Sequence, residues 1–416
     1  MSVPNLLSSA AKRHTGSLEI GKDLRPRVAA TVRRDAPVRF AIVGCGYVAD
    51  MYRFCVDLHR DGLELAGVWD RDPQRLAAFS KTWGDRAFGS LAETLAAPDL
   101  AILVNLTDPE NHAPVTRAAV AAGLHVYSEK PLGLTLGEAR GLREAADAAG
   151  VRLAAAPSNI LGEQAQTLWR TVRSGAVGRV RLVYAELDDG MVHKADYRRW
   201  ISKSGRRWPA EGEFETGCTF EHAGYAITLL VAMFGPVRRV TSHAALLVPD
   251  KDCDQPVHPA PDFSCGLLEF DGGIVARVTN SIVAPYDHRL RVIGDAGVIE
   301  VDEPWDFAGK VRLRKTATSR IARLLDRKFP RRPGRVVPAA RPVPFRGGRG
   351  KPTMDFMRGV REFADAIAAD RPSRMDADLA VHVTEVTEML QHPERFPRPA
   401  PVTSSVRPMQ PMDWAL

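Results

Sequence analysis

The sequence predicts an α/β chain whose N-terminal part is a doubly wound parallel sheet, and three observations lead there. Residues 38–43, V-R-F-A-I-V, are almost wholly apolar and β-forming, and they run into Gly44-Cys45-Gly46-Tyr47-Val48-Ala49. A second apolar stretch, residues 63–69, ends on Asp70, 24 residues after Gly46. Beyond it, apolar runs of strand length alternate with segments of helical period as far as residue 156.

The glycine stretch has the G-x-G-x-x-A form of a dinucleotide-binding Rossmann loop. Gly44 permits a tight turn, Gly46 lets the backbone approach a pyrophosphate, and Ala49 lets the next helix pack closely on the sheet. That helix, residues 48–60, would offer free N–H groups and the positive end of its dipole to phosphate. Two glycines after an apolar run also describe an ordinary turn, and Asp70 separates the two readings. A carboxylate at the end of the second strand accepts the ribose hydroxyls of a bound dinucleotide. It repels a 2′-phosphate, so NAD is favoured over NADP, although the neighbouring Arg71 could stack on adenine or grip that phosphate.

Residues 99–105 read as the third strand and lead into Thr107-Asp108-Pro109-Glu110-Asn111-His112 before an Ala-rich helix. Residues 124–127 form the fourth strand, which runs into Ser128-Glu129-Lys130-Pro131; helix 135–149 and strand 151–156 complete the sheet. Ligands of such sheets sit beyond the carboxyl ends of the strands. Gly44, Asp70, Thr107, Pro109 and Lys130 all fall there.

Length and composition set the outer bounds. A chain of 416 residues, 45% hydrophobic and 26% charged, accommodates two or three ordinary globular domains. Its longest charge-free apolar run, residues 223–234, is 12 residues, short of the roughly 20 that span a bilayer. Residues 1–37 scatter Lys and Arg without an apolar core of signal-peptide length, and are read as a flexible extension of a cytoplasmic protein. Five cysteines without C-x-x-C spacing suit reduced thiols rather than a disulfide framework or a metal site. Cys45, inside the glycine loop, is read as a small filler.

With Glu129-Lys130-Pro131 the chain resembles the Gfo/Idh/MocA oxidoreductases. That family brackets its nicotinamide with a G-x-G-x-x-A/G loop, an acid after the second strand, a proline-containing T-x-x-x-x-H segment and E-K-P. Gly44 to Ala49, Asp70, Thr107 to His112 and Glu129 to Pro131 supply all four, with one departure: Asp108 stands between Thr107 and Pro109. The resemblance covers residues 38–303 and 353–391. It implies a cofactor held by Gly44, Gly46, Tyr47, Val48, Asp70, Arg71, Thr107, Pro109, His112, Glu129 and Lys130. The implied reaction is hydride transfer between NAD(P) and a secondary hydroxyl or ketone of a sugar, cyclitol or nucleotide-sugar derivative, with the Lys130 ammonium stabilising alkoxide character. The alternative is a dinucleotide-binding regulator or scaffold of the same fold without turnover.

Family members usually carry an Asp and, four residues later, a His on one helix face. Aligned on the helix that ends at Gly235-Pro236, this chain has Glu221 and Tyr225 there. Tyrosine at that place also occurs in glucose-fructose oxidoreductase, and the charge of Lys130 would favour the phenolate and help Tyr225 act as a base. His222 points about 100° away from Glu221 around the helix, so a structural role for it stands beside a catalytic one.

From residue 157 to 395 the resemblance implies a C-terminal α+β domain with a large open, mostly antiparallel sheet. Residues 180–187, 262–270, 274–283, 289–293 and 298–301 read as its strands, and its outer face implies a homo-oligomer. A loop with Arg198, Trp200, Arg207 and Trp208 suits either sugar stacking or a domain seam. Residues 310–351 hold fifteen Lys and Arg against Asp326 alone, a charge of +14 that leaves the rest of the chain at −7. No nucleic-acid motif accompanies this charge. Ile321, Leu324, Leu325 and Phe329 could line one face of a basic helix at an anionic, inner membrane surface, and a solvated loop is the alternative. Helices 354–369 and 376–391 precede a Pro-rich, extended tail, 396–416.

Overall fold

The computed structural model describes residues 36–329, 333–344, 347 and 352–416. The N-terminal extension up to residue 35 and part of the basic insertion therefore lie outside the described residues. The first sheet is built from β1 (Val38–Val43), β2 (Leu63–Trp69), β3 (Ile102–Asn105), β4 (His125–Ser128) and β5 (Leu153–Ala155), with α1 (Tyr47–Val56), α2 (Pro73–Trp83), α3 (Leu91–Leu95), α4 (Pro109–Ala121) and α5 (Leu136–Ala148) between them. All its strands are parallel, in the order β2-β1-β3-β4-β5. The order reverses between β1 and β3, where a crevice opens beyond the strand ends.

Local chemistry sets the helix starts. Asp72 accepts the Gln74 N–H at 2.8 Å and Pro73 fills the first turn of α2. Thr135 caps α5 through the Glu138 N–H. By contrast, α1 starts at Gly46 with no side-chain cap, so its first N–H groups face the crevice unsatisfied. Several predicted strands, β3, β4 and β5 among them, start later than the sequence suggests. Asp99 takes φ +55° in a turn before β3, and Leu124 closes the end of α4 rather than opening β4.

The second unit contains α6 (Glu163–Arg173), β6 (Val180–Asp188), α7 (Ala210–Thr216), α8 (Cys218–Phe234), β7 (Val237–Ala245), β8 (Phe263–Phe270), β9 (Val275–Ser281), β10 (Leu290–Gly294), β11 (Gly297–Val301) and β12 (Val311–Lys315). It continues through α9 (Arg320–Lys328), β13 (Arg335–Val336), α10 (Arg358–Ala368), α11 (Ala377–Gln391) and β14 (Ala400–Pro401). Nine strands run in the order β13-β12-β11-β10-β6-β9-β8-β7-β14, antiparallel except for β6 beside β9. The apolar run of residues 223–234 becomes the buried body of α8, which packs on the inner face of this sheet.

The units meet along α11, which packs on α5 on one side and on α8 and β7 on the other. At this seam Glu388 accepts the Leu136 N–H at 2.8 Å. The tail is extended, and it is also docked: β14 pairs with β7, the Met412 N–H donates to Gln166 at 2.9 Å, and the Arg341 guanidinium lies 3.9 Å over the Trp414 ring. The basic insertion likewise starts as ordered structure, because β12 alternates buried Val311 and Leu313 with solvent-facing Arg residues.

Gly44 takes φ +101°, and a Cβ there would stand 2.5 Å from the Leu106 carbonyl carbon and oxygen. The Leu106–Thr107 backbone that it would meet cannot give way as a side chain could. Gly44→Val is expected to destabilise the protein by about 3 kcal/mol in denaturant unfolding, and an unchanged midpoint would contradict this account of the turn.

Candidate active site

Two connected hollows occupy the crevice. One, enclosing about 460 Å³, runs along Gly44, Gly46, Trp69, Asp70, Arg71, Arg75, Thr107 and Asn111. A Cβ added at Gly46 would project into open space with no atom within 4 Å, a gap that fits a close phosphate approach. Buried Asp70 closes one end: Oδ2 accepts the Cys45 N–H at 2.7 Å and Oδ1 the Asp72 N–H at 2.8 Å. Each carboxylate oxygen keeps a further lone pair for a ribose hydroxyl. Burial pushes the Cys45 thiol far up, so it stays an inert filler of the loop.

The second hollow, about 1100 Å³, continues past Tyr47, Val48, Pro109, His112, Glu129 and Lys130 to α7 and α8. Here sequence-predicted residues divide by task. His112 faces two carbonyls, Pro131 O at 2.7 Å from Nδ1 and Thr107 O at 2.8 Å from Nε2, and so braces one strand-end loop against the next. Glu129 accepts from Tyr52 Oη at 2.6 Å and from the Lys130 N–H at 2.8 Å, fixing the backbone that carries Lys130. Both residues position their neighbours.

Lys130, at the carboxyl end of β4, donates from Nζ to Glu221 Oε2 on α8. Burial disfavours its charge, but Glu221, Glu213, Tyr225 and Glu129 outweigh that and hold the ammonium well above the ordinary lysine range. Glu213, on α7, was not singled out from the sequence. Burial and the Glu221 carboxylate drive it well above the usual carboxylate range. Tyr225 lies against Trp305, ring centroids 4.8 Å apart. The expectation that Lys130 makes it a phenolate is corrected here: burial is the larger effect, carboxylates oppose the lysine, and Tyr225 stays a phenol.

His222 does reach the hollow, beside Glu221 and Tyr225. Burial holds its imidazole below the ordinary range, Nδ1 has no partner, and Nε2 stands 3.7 Å from Asp189 Oδ2. Asp189, at the end of β6, also contacts His288 Nε2 at 3.3 Å, and Glu303 lies 3.1 Å from His288 Nδ1. Sequence reasoning missed these three because they flank strands in loops without a motif. The one available signal was an acid or histidine at each of three neighbouring strand ends. Of the Arg- and Trp-rich loop, only Trp208 lines the hollow; Arg198 and Arg207 pair with Asp252 and Asp254 outside it. Among the described residues no cluster has the arrangement of a metal site.

An uncapped helix behind a glycine turn, an acid at the next strand end and a half-buried ammonium–phenol pair define a pyridine-nucleotide oxidoreductase site. Comparison with known proteins agrees. The description "Oxidoreductase family, NAD-binding Rossmann fold" matches residues 38–156, and "GFO/IDH/MocA C-terminal domain" matches residues 165–300. The chain belongs to the Gfo/Idh/MocA family. It is 24% identical over 270 residues to trans-1,2-dihydrobenzene-1,2-diol dehydrogenase of Mus musculus, covering 64% of this chain and 75% of that protein. D-apiose dehydrogenase of Paraburkholderia graminis is 29% identical over 156 residues, 36% of this chain and 40% of that one. Among solved structures, the fold is shared with an inositol dehydrogenase homolog of Azotobacter vinelandii complexed with NADH and myo-inositol (TM-score 0.66, 20% identity, 88% and 98% of the two chains). It is also shared with the WlbA dehydrogenase of Bordetella pertussis in complex with NADH and UDP-GlcNAcA (TM-score 0.65, 19% identity, 87% and 96%).

Burial opposes charge on His288, but Asp189 and Glu303 raise its folded-state value to about 9 from an ordinary 6.5. A raised value stabilises the fold in full below about pH 6.5 and loses that contribution as pH climbs through about 9. The shift corresponds to about 3 kcal/mol. His288→Asn should therefore cost more stability at pH 6 than at pH 9.5 in denaturant titrations, and an equal cost at both would contradict the ion pair.

Proposed function

We propose that this protein is an NAD-dependent dehydrogenase that oxidises a secondary hydroxyl of a sugar, cyclitol or sugar derivative and, in reverse, reduces the ketone. The observation that carries this reading is the half-buried Lys130–Glu221 pair beside Tyr225, at the mouth of the dinucleotide crevice. The residues along that crevice fit a dinucleotide, with Gly44, Gly46, Tyr47 and Val48 at the diphosphate, Asp70 and Arg71 at the adenosine, and Thr107, Pro109 and Glu129 along the nicotinamide side. When bound, the nicotinamide supplies the hydride acceptor. The carboxylate of Asp70 favours NAD over NADP.

The chain's own groups manage the oxygen and its proton. Lys130 stays an ammonium and Tyr225 a phenol, so both donate hydrogen bonds to the reacting oxygen and stabilise negative charge as it develops. Glu221 orients Lys130 and accepts from a neighbouring hydroxyl. Neutral His222, with Asp189 behind it, takes the hydroxyl proton in oxidation. A regulator without turnover would have no use for a charged amine held inside a cage of carboxylates.

A panel of sugars, cyclitols and nucleotide sugars assayed with NAD⁺ at the reduced-nicotinamide absorbance tests the reading. At least one compound should give turnover, and Lys130→Ala should lower kcat about 10³-fold while NADH still binds. No turnover across the panel, or an unimpaired Lys130→Ala enzyme, would overturn it.

Partners follow from two surfaces. The outer face of the nine-stranded sheet exposes Leu182 and Leu267 beside Tyr184, over which Arg277 stacks at 4.4 Å, and we infer that a second copy of the chain covers it. No helix among the described residues is long and apolar enough to cross a membrane. On α9 and just beyond it, Ile321, Leu324 and Phe329 are 73%, 64% and 51% exposed among Arg320, Arg323, Arg327 and Lys328, and the Leu325 side chain lies outside the described residues. This suits a cytoplasmic protein whose basic segment rests on an anionic inner-membrane surface. Phosphatidylglycerol vesicles should co-sediment the full chain, and Ile321→Asp/Leu324→Asp should weaken that at least tenfold; equal binding of both would exclude this contact.

A further inference from the structure

The substrate half of the second hollow is short of positive charge. Its lining holds the carboxyl groups of Asp189, Glu213 and Glu221, one amine, Lys130, and no arginine among the described residues. Lys130 is already paired with Glu221, and His288, outside the hollow, stands 3.3 Å from Asp189 as its counter-charge. Glu213 is left over. Among the described residues it forms no ion pair, and after burial the largest influence on it is the like charge of Glu221, which outweighs the opposing charge of Lys130. The arginines that the sequence offered for a carboxylate or phosphate substituent are engaged elsewhere, since Arg198 and Arg207 pair with Asp252 and Asp254 outside the hollow. Glu213 keeps its place without a charged partner because its helix is held by packing. Phe214, 1% exposed, meets the rings of Tyr197 and Trp208 at 5.8 and 5.7 Å, and its carbonyl accepts the Ala260 N–H at 2.9 Å. Trp208 lines the hollow too, and an aromatic ring near a carboxylate is a favourable surrounding for an ammonium. A further polar atom of this lining is free for a ligand: His222 Nδ1 is buried and has no partner.

We propose that the substrate is a sugar or cyclitol that carries a protonated amine, and that Glu213 is the residue that selects it. The proposal rests on the dehydrogenase reading above and adds the substituent by which the substrate is recognised. The ammonium donates to the Glu213 carboxyl group and supplies the cation which that group lacks. It also offsets the repulsion between Glu213 and Glu221, so that both hold negative charge once the substrate is in place. A charge-assisted hydrogen bond of this kind gains most at a site partly closed to water. A neutral hydroxyl in the same position leaves Glu213 uncompensated. A carboxylate or phosphate would face three acids with only a committed lysine to oppose them. The other charged groups that act on Glu213 are Glu221, Lys130 and Asp189, and none of them changes this balance of sign. The amine takes no part in hydride transfer. The reacting hydroxyl stays with Lys130, Tyr225 and His222, so the amine sits on a different ring carbon and Glu213 sets specificity without touching the reacting atoms.

Isothermal titration of the NADH-bound protein tests this with monoamino hexoses and monoamino cyclitols, each set against its hydroxyl parent and its N-acetyl derivative, and the hexoses also against their uronates. At least one amine-bearing compound should bind about tenfold more tightly than its parent and its N-acetyl derivative, with the uronates weaker still. Glu213→Gln should remove the preference, lowering affinity for the amine about tenfold while that for the parent stays within about twofold. Glu213→Asp, which keeps the charge, should keep the preference. No amine that binds better than its parent, tighter binding of a uronate, or an equal loss of amine and parent in Glu213→Gln would overturn the assignment. The same compounds assayed with NAD⁺ separate the two proposals. An amine that binds selectively, in a panel where nothing turns over, contradicts the dehydrogenase reading and leaves the amine site standing. Turnover confined to neutral or anionic compounds contradicts the amine site and leaves the dehydrogenase standing.

Discussion

A single ion pair ties the architecture of this protein to its chemistry. Lys130 ends a strand of the nucleotide sheet and Glu221 begins the central helix of the second unit, so their contact joins the two halves at the point where they must cooperate. Bringing an amine and a carboxylate out of water is unfavourable, and the pair persists because further groups complete it. Glu129 fixes the backbone of Lys130, and Glu213 and Tyr225 line the same hollow. Removing either charge would leave the other unpaired in the hollow. The surrounding carboxylates keep the ammonium charged against burial, whereas burial favours the phenol of Tyr225.

The surrounding fold serves to hold that pair against an uncapped helix. The strand order reverses between β1 and β3, which opens the sheet edge where α1 presents its free N–H groups. His112 locks the loop after β3 to the turn after β4, and α11 wedges the two units together from behind. Cofactor site and substrate hollow are thus walls of one cleft, contributed by different halves of the chain.

Much of this was legible in the sequence where a residue's role depends on its neighbours along the chain. The glycine loop, Asp70, the Thr107-to-His112 segment and Glu129-Lys130-Pro131 each sit at a strand end, and strand ends of a parallel sheet are bound to converge. Glu221 and Tyr225 were legible because one helical turn puts them on one face. The protonation of Tyr225 was not, because it is decided by burial and by carboxylates far away in sequence. Asp189, Glu213, His288 and Glu303 were hidden for the same reason: they meet only when β6, α7, β10 and β11 pack around α8. The tail's docking was illegible too, since a Pro-rich extended segment looks alike whether solvated or held by Gln166 and Arg341.

The central claim is that a nicotinamide bound in this cleft lies between Lys130, Tyr225 and Glu129, with its adenosine at Asp70. A crystal structure of the protein grown with NADH measures this directly. The account predicts the diphosphate over Gly46 at the start of α1 and the nicotinamide ring beside the Lys130 amine. A nicotinamide directed away from α8, with Lys130 and Tyr225 out of reach, would contradict it.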